Sequence, residues 1–239
     1  MAEIDLDEIA RRNPNRCFHY IVGASIGEAS EPTALAVIEQ RTVRSTGWGA
    51  DTEAMNLRQL QRLPLNTSHP DFVRYLVGKL MPGLDKLDQA GGAALVVDVN
   101  ATGSAVADLM VKQGLNPIRV SISAAAGEVR DSENWNAWRV GRPDLVGILQ
   151  LAMQSRRLQA AADLELLPIL ATELQNFKLR PPTVRENDLA ALRDTKYADL
   201  VFAVGLAVWR AERDTPLPQS VNDAWTKKYN DPARWTHIV

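Results

Sequence analysis

The sequence predicts one α/β domain built on a mixed sheet with helices on both faces. Strand signals at about 17–24, 33–41 and 53–62, separated by short turns, read as an antiparallel meander. A strand, helix, strand unit runs from Ala94 to Ser123 and requires a parallel pairing reached by a right-handed crossover. Helical spacing dominates after Pro143, and the last helix is apolar nearly all round, as a helix buried against a sheet must be.

Taken in order, residues 1–16 form a polar lead-in with a short helix. YIVGASIGEASEPTALAVIEQ reads as the end of the first strand, a sharp turn flanked by Gly23 and Gly27 with Ser25 between them, and the second strand. Glu31-Pro32 leads into the second strand, and Gly47 and Gly49 mark the turn before the third. A helix over 69–81 stops near Pro82-Gly83. AALVVDVNATG is a β-branched run ending in Asp98, the pattern of a strand buried on both faces. Thr102-Gly103-Ser104 opens a helix with Val106, Leu109 and Met110 on one side, and Gly114 with Asn116-Pro117 closes it before the strand IRVSIS. Residues 124–142 read as a long polar loop carrying Trp135 and Trp138. Pro143 starts a helix with Asp144 in its first turn, where the dipole favours an acid. A further helix carries Leu166, Leu170, Leu174 and Phe177, and ADLVFAVGLAVWRAE forms the buried one from 198. The expected division is a lead-in (1–16), one domain (17–211) and a polar tail (212–239) with two tryptophans.

A 239-residue chain that is 46% hydrophobic buries a full core and is neither disordered nor fibrous. The single cysteine, Cys17, excludes an internal disulfide and a multi-cysteine zinc site. With no long apolar run, nothing in the sequence spans a membrane, and a cytoplasmic location is expected. A net charge of -2 leaves nucleic acid to a local basic face.

Three positions lie where core elements leave the fold: Ser25 after the first strand, Asp98 at the end of the fourth, and Asp199 at the start of the last helix. Three carboxylates there would form a two-metal centre, since Mg²⁺ and Mn²⁺ take hard oxygen ligands and clamp the attacking and leaving oxygens of a phosphodiester. Only two of the three are acids. The structural alternatives are a turn cap for Asp98 and dipole-favoured helix starts for Asp199 and Asp144. His19, His69 and His237 have no metal or triad spacing and read as structural.

The segments then resemble, in order, the C-terminal nuclease domain of tailed-phage terminase large subunits, which has a ribonuclease H-like fold. HYIVGASIGEASEPTALAVIE resembles the family's opening strand and acid-Pro-Thr turn, LQRLPLNTSHPDFVRYLV the segment after its third strand, and LVVDVNATGSAVADLMVKQGL its second acidic motif. VGRPDLVGILQLAMQSRRLQ and DTKYADLVFAVGLAVW resemble its last two helices, so the likeness runs from about 20 to 210. It implies a mixed five-stranded sheet, catalytic and metal-ligating acids at Asp98 and Asp199, Mg²⁺ or Mn²⁺ as cofactor, and double-stranded DNA and phage packaging proteins as partners.

The departures fall on the catalytic positions. The family's first aspartate falls on Ser25, and its closing histidine and two aspartates fall on Tyr197, Ala198 and Asp199. Glu28 and Glu31 are near enough in sequence to supply a displaced acid. No GxxxxGK[ST] occurs, so pumping by a P-loop motor is not expected of these residues. The expectation is a nuclease-like domain with impaired cleavage and at most weak metal binding. The alternatives are an active endonuclease using Glu28 or Glu31 and a DNA- or protein-binding module without activity; an actin-like phosphotransferase, hinted at by DVNATG, lacks a second phosphate loop. The candidate DNA surface comprises Arg130, Arg139, Arg142, Arg156 and Arg157, with Trp135 and Trp138 as stacking platforms or, alternatively, as anchors of the loop.

Overall fold

The computed structural model describes residues 16–27, 31–43, 52–65, 67–88, 90–161, 163–176 and 198–213. The expected lead-in helix, the Gly47 and Gly49 turn, Glu28, Phe177, Tyr197 and the tail from 214 onward lie outside the described residues.

Strands β1 (Arg16–Ser25), β2 (Ala34–Val43) and β3 (Thr52–Arg62) pair antiparallel in sequence order. Strand β4 (Ala94–Asp98) runs parallel to β1 and β5 (Ile118–Ser123) parallel to β4, joined by helix α3 (Gly103–Lys112). These five are the sheet expected from the sequence. Three short strands extend it: β6 (Glu128–Arg130), β7 (Ala137–Gly141) and β8 (Leu158–Ala160), giving eight in the order β6-β7-β5-β4-β1-β2-β3-β8. Residues 124–142 are therefore not a continuous loop. Their strands are three and five residues long and owe their pairing to the exposed edge of β5, a tertiary cause that local propensity does not report.

Between β3 and β4, helix α1 (His69–Tyr75) passes through a π-helical segment (Leu76–Leu80) into α2 (Met81–Asp85). The Met81 N–H bonds the Leu76 carbonyl five residues back. This wider turn carries the chain past Pro82, which has no N–H to offer, so the helix ends later than its proline suggests.

Period-two alternation divides the strands between two cores. Ile21, Ala34, Ile38, Val96, Val120 and Val140 face helices α4 (Arg142–Gln154), α5 (Leu167–Asn176) and α6 (Asp199–Ala211). Tyr20, Val22, Leu35, Val37, Leu95 and Val97 face α1–α3. Helix α6 buries nearly its whole circumference, Trp209 included, and crosses the middle of the sheet. Gly23 makes this crossing possible: a Cβ there would collide with the Ala203 carbonyl, so α6 rests directly on the β1 backbone. Gly27 likewise gives way to the Glu31 and Pro32 backbone. The two glycines that frame Ser25 are thus explained by packing.

One irregularity matters for the site. Ile38 pairs with Leu57 but Val37 with Gln59, so Arg58 is an extra residue in β3. This bulge reverses the alternation, and Leu60 joins Met55 and Leu57 in the α6-side core. Arg62, two residues on, is turned to the same side.

Candidate functional site

Ser25 and Asp98 end adjacent parallel strands. The register Ala24 to Val97 sets them side by side, and their alternation with Ala24 and Val97, which face α1–α3, turns both toward α6. In the other direction Ser25 pairs with Ala34 and Ala34 with Arg62, so the carboxyl edge reads Asp98, Ser25, Ala34, Arg62 across four strands. Asp199 opens α6 above Arg62. All three positions singled out in the sequence therefore lie at one edge and on one face of the sheet.

The two acids are nevertheless held in separate environments. The Arg62 guanidinium grips Asp199 with both oxygens, Nε to Oδ2 at 2.7 Å and the second nitrogen to Oδ1 at 2.8 Å. The same nitrogen also donates to Glu173 on α5, and the other Glu173 oxygen accepts from the Val201 N–H at 3.3 Å. Asp199 and Glu173 are buried, at 9% and 7% exposure. Burial and the neighbouring Asp199 charge push the Glu173 carboxyl up to about 7, against the pull of Arg62.

Asp98 accepts the Asn100 N–H at 2.9 Å. Asn100 is itself fixed, its amide donating to the Ile122 carbonyl at 2.8 Å and accepting from Ser121 at 3.0 Å. A Cβ at Gly103 would collide with the Asp98 carbonyl, so α3 begins hard against this strand end. Burial pushes the Asp98 carboxyl up to about 6, opposed by the Asn100 N–H and the Arg142 charge. Arg142, the first residue of α4, stacks over Phe202 at 5.2 Å, one turn into α6 from Asp199. The Asp98 carboxylate, the buried Ser25 and this stacked guanidinium form one half of the edge; Arg62, Glu173 and Asp199 form the other.

A pair of divalent ions does not fit these residues. A hydroxyl stands where a bridging carboxylate is needed, and Asp199 spends both oxygens on Arg62. Among the described residues no group of three His, Cys, Asp or Glu side chains is arranged to hold a metal ion. Asp144 instead accepts the Gly127 N–H at 2.6 Å, tying α4 to the β6 turn. His19 is a structural partner of Asp88 at 2.8 Å.

The five candidate arginines do not share a surface. Arg142 lies beside Asp98. Arg139 alternates with Trp138 and Val140, which pack toward α6, so it points to the other side of the sheet and is exposed. Arg130 bonds the Trp135 carbonyl at 2.8 Å and lies between two rings, 4.5 Å from Trp135 and 5.1 Å from Trp138. Arg156 and Arg157 follow α4, whose 13 residues carry the chain about 20 Å away from Arg142. There the Arg157 carbonyl bonds the Met55 N–H, and its side chain pairs with Glu212 at 2.8 Å. Of the tryptophans, Trp138 packs edge-on against Trp209 at 5.5 Å and anchors the hairpin, whereas Trp135 is 68% exposed.

Arg62, Glu173 and Phe202 were not singled out in the sequence. Glu173 left a signal, as a charge between Leu170 and Leu174 on an apolar helix stripe. Arg62 left none, because only the bulge turns it inward.

The antiparallel three-strand meander continued by parallel β4 and β5, with helices on both faces, is the ribonuclease H-like fold expected from the sequence. Among solved structures the chain is similar to the large terminase nuclease from thermophilic phage G20c, at 19% identity and a TM-score of 0.50, covering 81% of this chain and 82% of that one. The human cytomegalovirus terminase nuclease domain, from a manganese-soaked crystal, matches at 13% identity and a TM-score of 0.47, covering 82% and 84%. No protein-family model and no curated protein sequence matches the chain.

Proposed function

We propose that this chain is a terminase-type nuclease domain of phage or prophage origin, engaged in DNA packaging, whose metal-dependent cleavage is strongly impaired. Ser25 beside Asp98 carries the reading: the strand pair on which this fold builds its site presents one carboxylate where the chemistry uses two. A neutral hydroxyl does not offset the charge of a second divalent ion, and charge stabilisation supplies most of the rate in phosphoryl transfer. At most one Mg²⁺ or Mn²⁺ is held weakly, by Asp98. The Asn100 N–H and Arg142 orient and neutralise that carboxylate, and double-stranded DNA and packaging proteins remain the partners.

A plasmid-nicking assay in Mn²⁺ tests this. Wild type should nick slightly or not at all, and Ser25→Asp should raise the rate by about 10²-fold or more. Robust wild-type cleavage abolished by Asp98→Ala would overturn the proposal and assign the missing acid to Glu28 or Glu31.

A further inference from the structure

We infer that Arg62 is the built-in cation of this edge: its guanidinium takes the place of a divalent ion between Asp199 and Glu173, so that this half of the site assembles without metal. The inference rests on the nuclease-type reading above only for why a cation is expected there; its evidence is the cluster itself.

Three elements converge on the guanidinium. Arg62 comes from the end of β3, Glu173 from α5 and Asp199 from the first turn of α6, and both acids are buried. Two carboxylates in such a place repel unless a cation sits between them. A guanidinium suits the role because its planar fork presents parallel N–H groups to one carboxylate while a remaining N–H reaches a second. That is the pattern here, with two bonds to Asp199 and one to Glu173. Its placement is built into the backbone, since without the extra residue at Arg58 the side chain at 62 would point to the α1–α3 side. A divalent ion would also have to displace a group that is only 20% exposed and tethered to the sheet.

The test uses the full chain and Mn²⁺ alone. Wild type should gain in Mn²⁺ over EDTA no more than the small increment that weak binding at Asp98 allows. Arg62→Met leaves the two acids without their cation and should melt lower in EDTA but recover by several degrees in Mn²⁺, as a folded-state ligand requires. Arg62→Met with Asp199→Asn should lose that recovery. Indifference of Arg62→Met to Mn²⁺ would overturn the inference. Should Arg62→Met fail to fold in either condition, the electron paramagnetic resonance of Mn²⁺ titrated with wild type and with Asp199→Asn decides. Equal bound fractions support the inference, and binding lost with Asp199→Asn shows a metal displacing Arg62 and overturns it. Neither readout involves DNA cleavage, so the inference and the nicking test fail independently.

Discussion

Two aspartates at opposite ends of the same sheet are treated in opposite ways. Near the start of β1, the Asp88 carboxylate is fully covered and accepts four hydrogen bonds: His19 Nδ1 at 2.8 Å, the Tyr20 N–H at 2.7 Å, the Ala90 N–H at 2.7 Å and the Gly92 N–H at 3.1 Å. Although burial alone would raise it, the bonds from His19, Tyr20 and Ala90 hold the carboxyl below its usual range. At the carboxyl end, Asp98 accepts one hydrogen bond among the described residues and is pushed up to about 6 by burial. The fold satisfies the first charge and withholds partners from the second. An under-satisfied carboxylate beside a stacked arginine, at the edge where parallel strands end, is the pattern of a candidate site, whereas a saturated one is that of a structural clamp.

The largest effect comes from breaking the clamp. Asp88→Ala removes the acceptor for three backbone N–H groups and the partner of buried His19, and should cost roughly 3 kcal/mol of unfolding free energy in guanidinium titrations. Asp98→Asn keeps the shape of its side chain and loses only an unfavourable charge. At pH 8 it should gain about 2 kcal/mol, which a loss of similar size would refute.

The same contrast appears as opposite slopes with pH. Asp88 has a folded pKa below its unfolded one, so its contribution is present above pH 3.8 and is lost as pH falls further. Asp98 has a folded pKa above its unfolded one, so stability declines as pH rises from 3.8 to about 6; Glu173 adds a decline of the same sign between 4.5 and about 7. Stability measured across that range should fall in wild type and flatten in Asp98→Asn with Glu173→Gln. An unchanged slope in the double variant would break the contrast between the two ends.

The ends were not equally legible in the sequence. Ser25, Asp98 and Asp199 could be placed at one edge because strand ends and helix starts are local signals, and parallel pairing of the first and fourth strands then brings them together. The meander and the crossover were legible for the same reason. The clamp was not, since nothing local joins His19 to Asp88, 69 residues away. Nor was Arg62, whose direction depends on a bulge that the pattern of LRQLQR does not announce. The β6 and β7 strands were hidden because a three-residue strand forms only when an edge is there to receive it.

The smallest effect sharpens the comparison by using the arginines, which the sequence groups together and the fold divides. Arg142 stands at the Asp98 end, while the register of β8 on β3 sets Leu158 at the level of His19, about 20 Å along the strands from Ser25, with Arg156 and Arg157 just beyond it. If DNA lies along the carboxyl edge, Arg142→Gln should weaken binding of a short duplex by about 1 kcal/mol and lower the slope of log K against log salt by about one, as loss of one phosphate contact does. Arg156→Ala, at an exposed site at the far end, should change neither quantity. Fluorescence anisotropy at several salt concentrations measures both. A matching loss in the Arg156 variant would mean that the duplex runs over the clamped end as well, and that the site does not divide at the middle of the sheet.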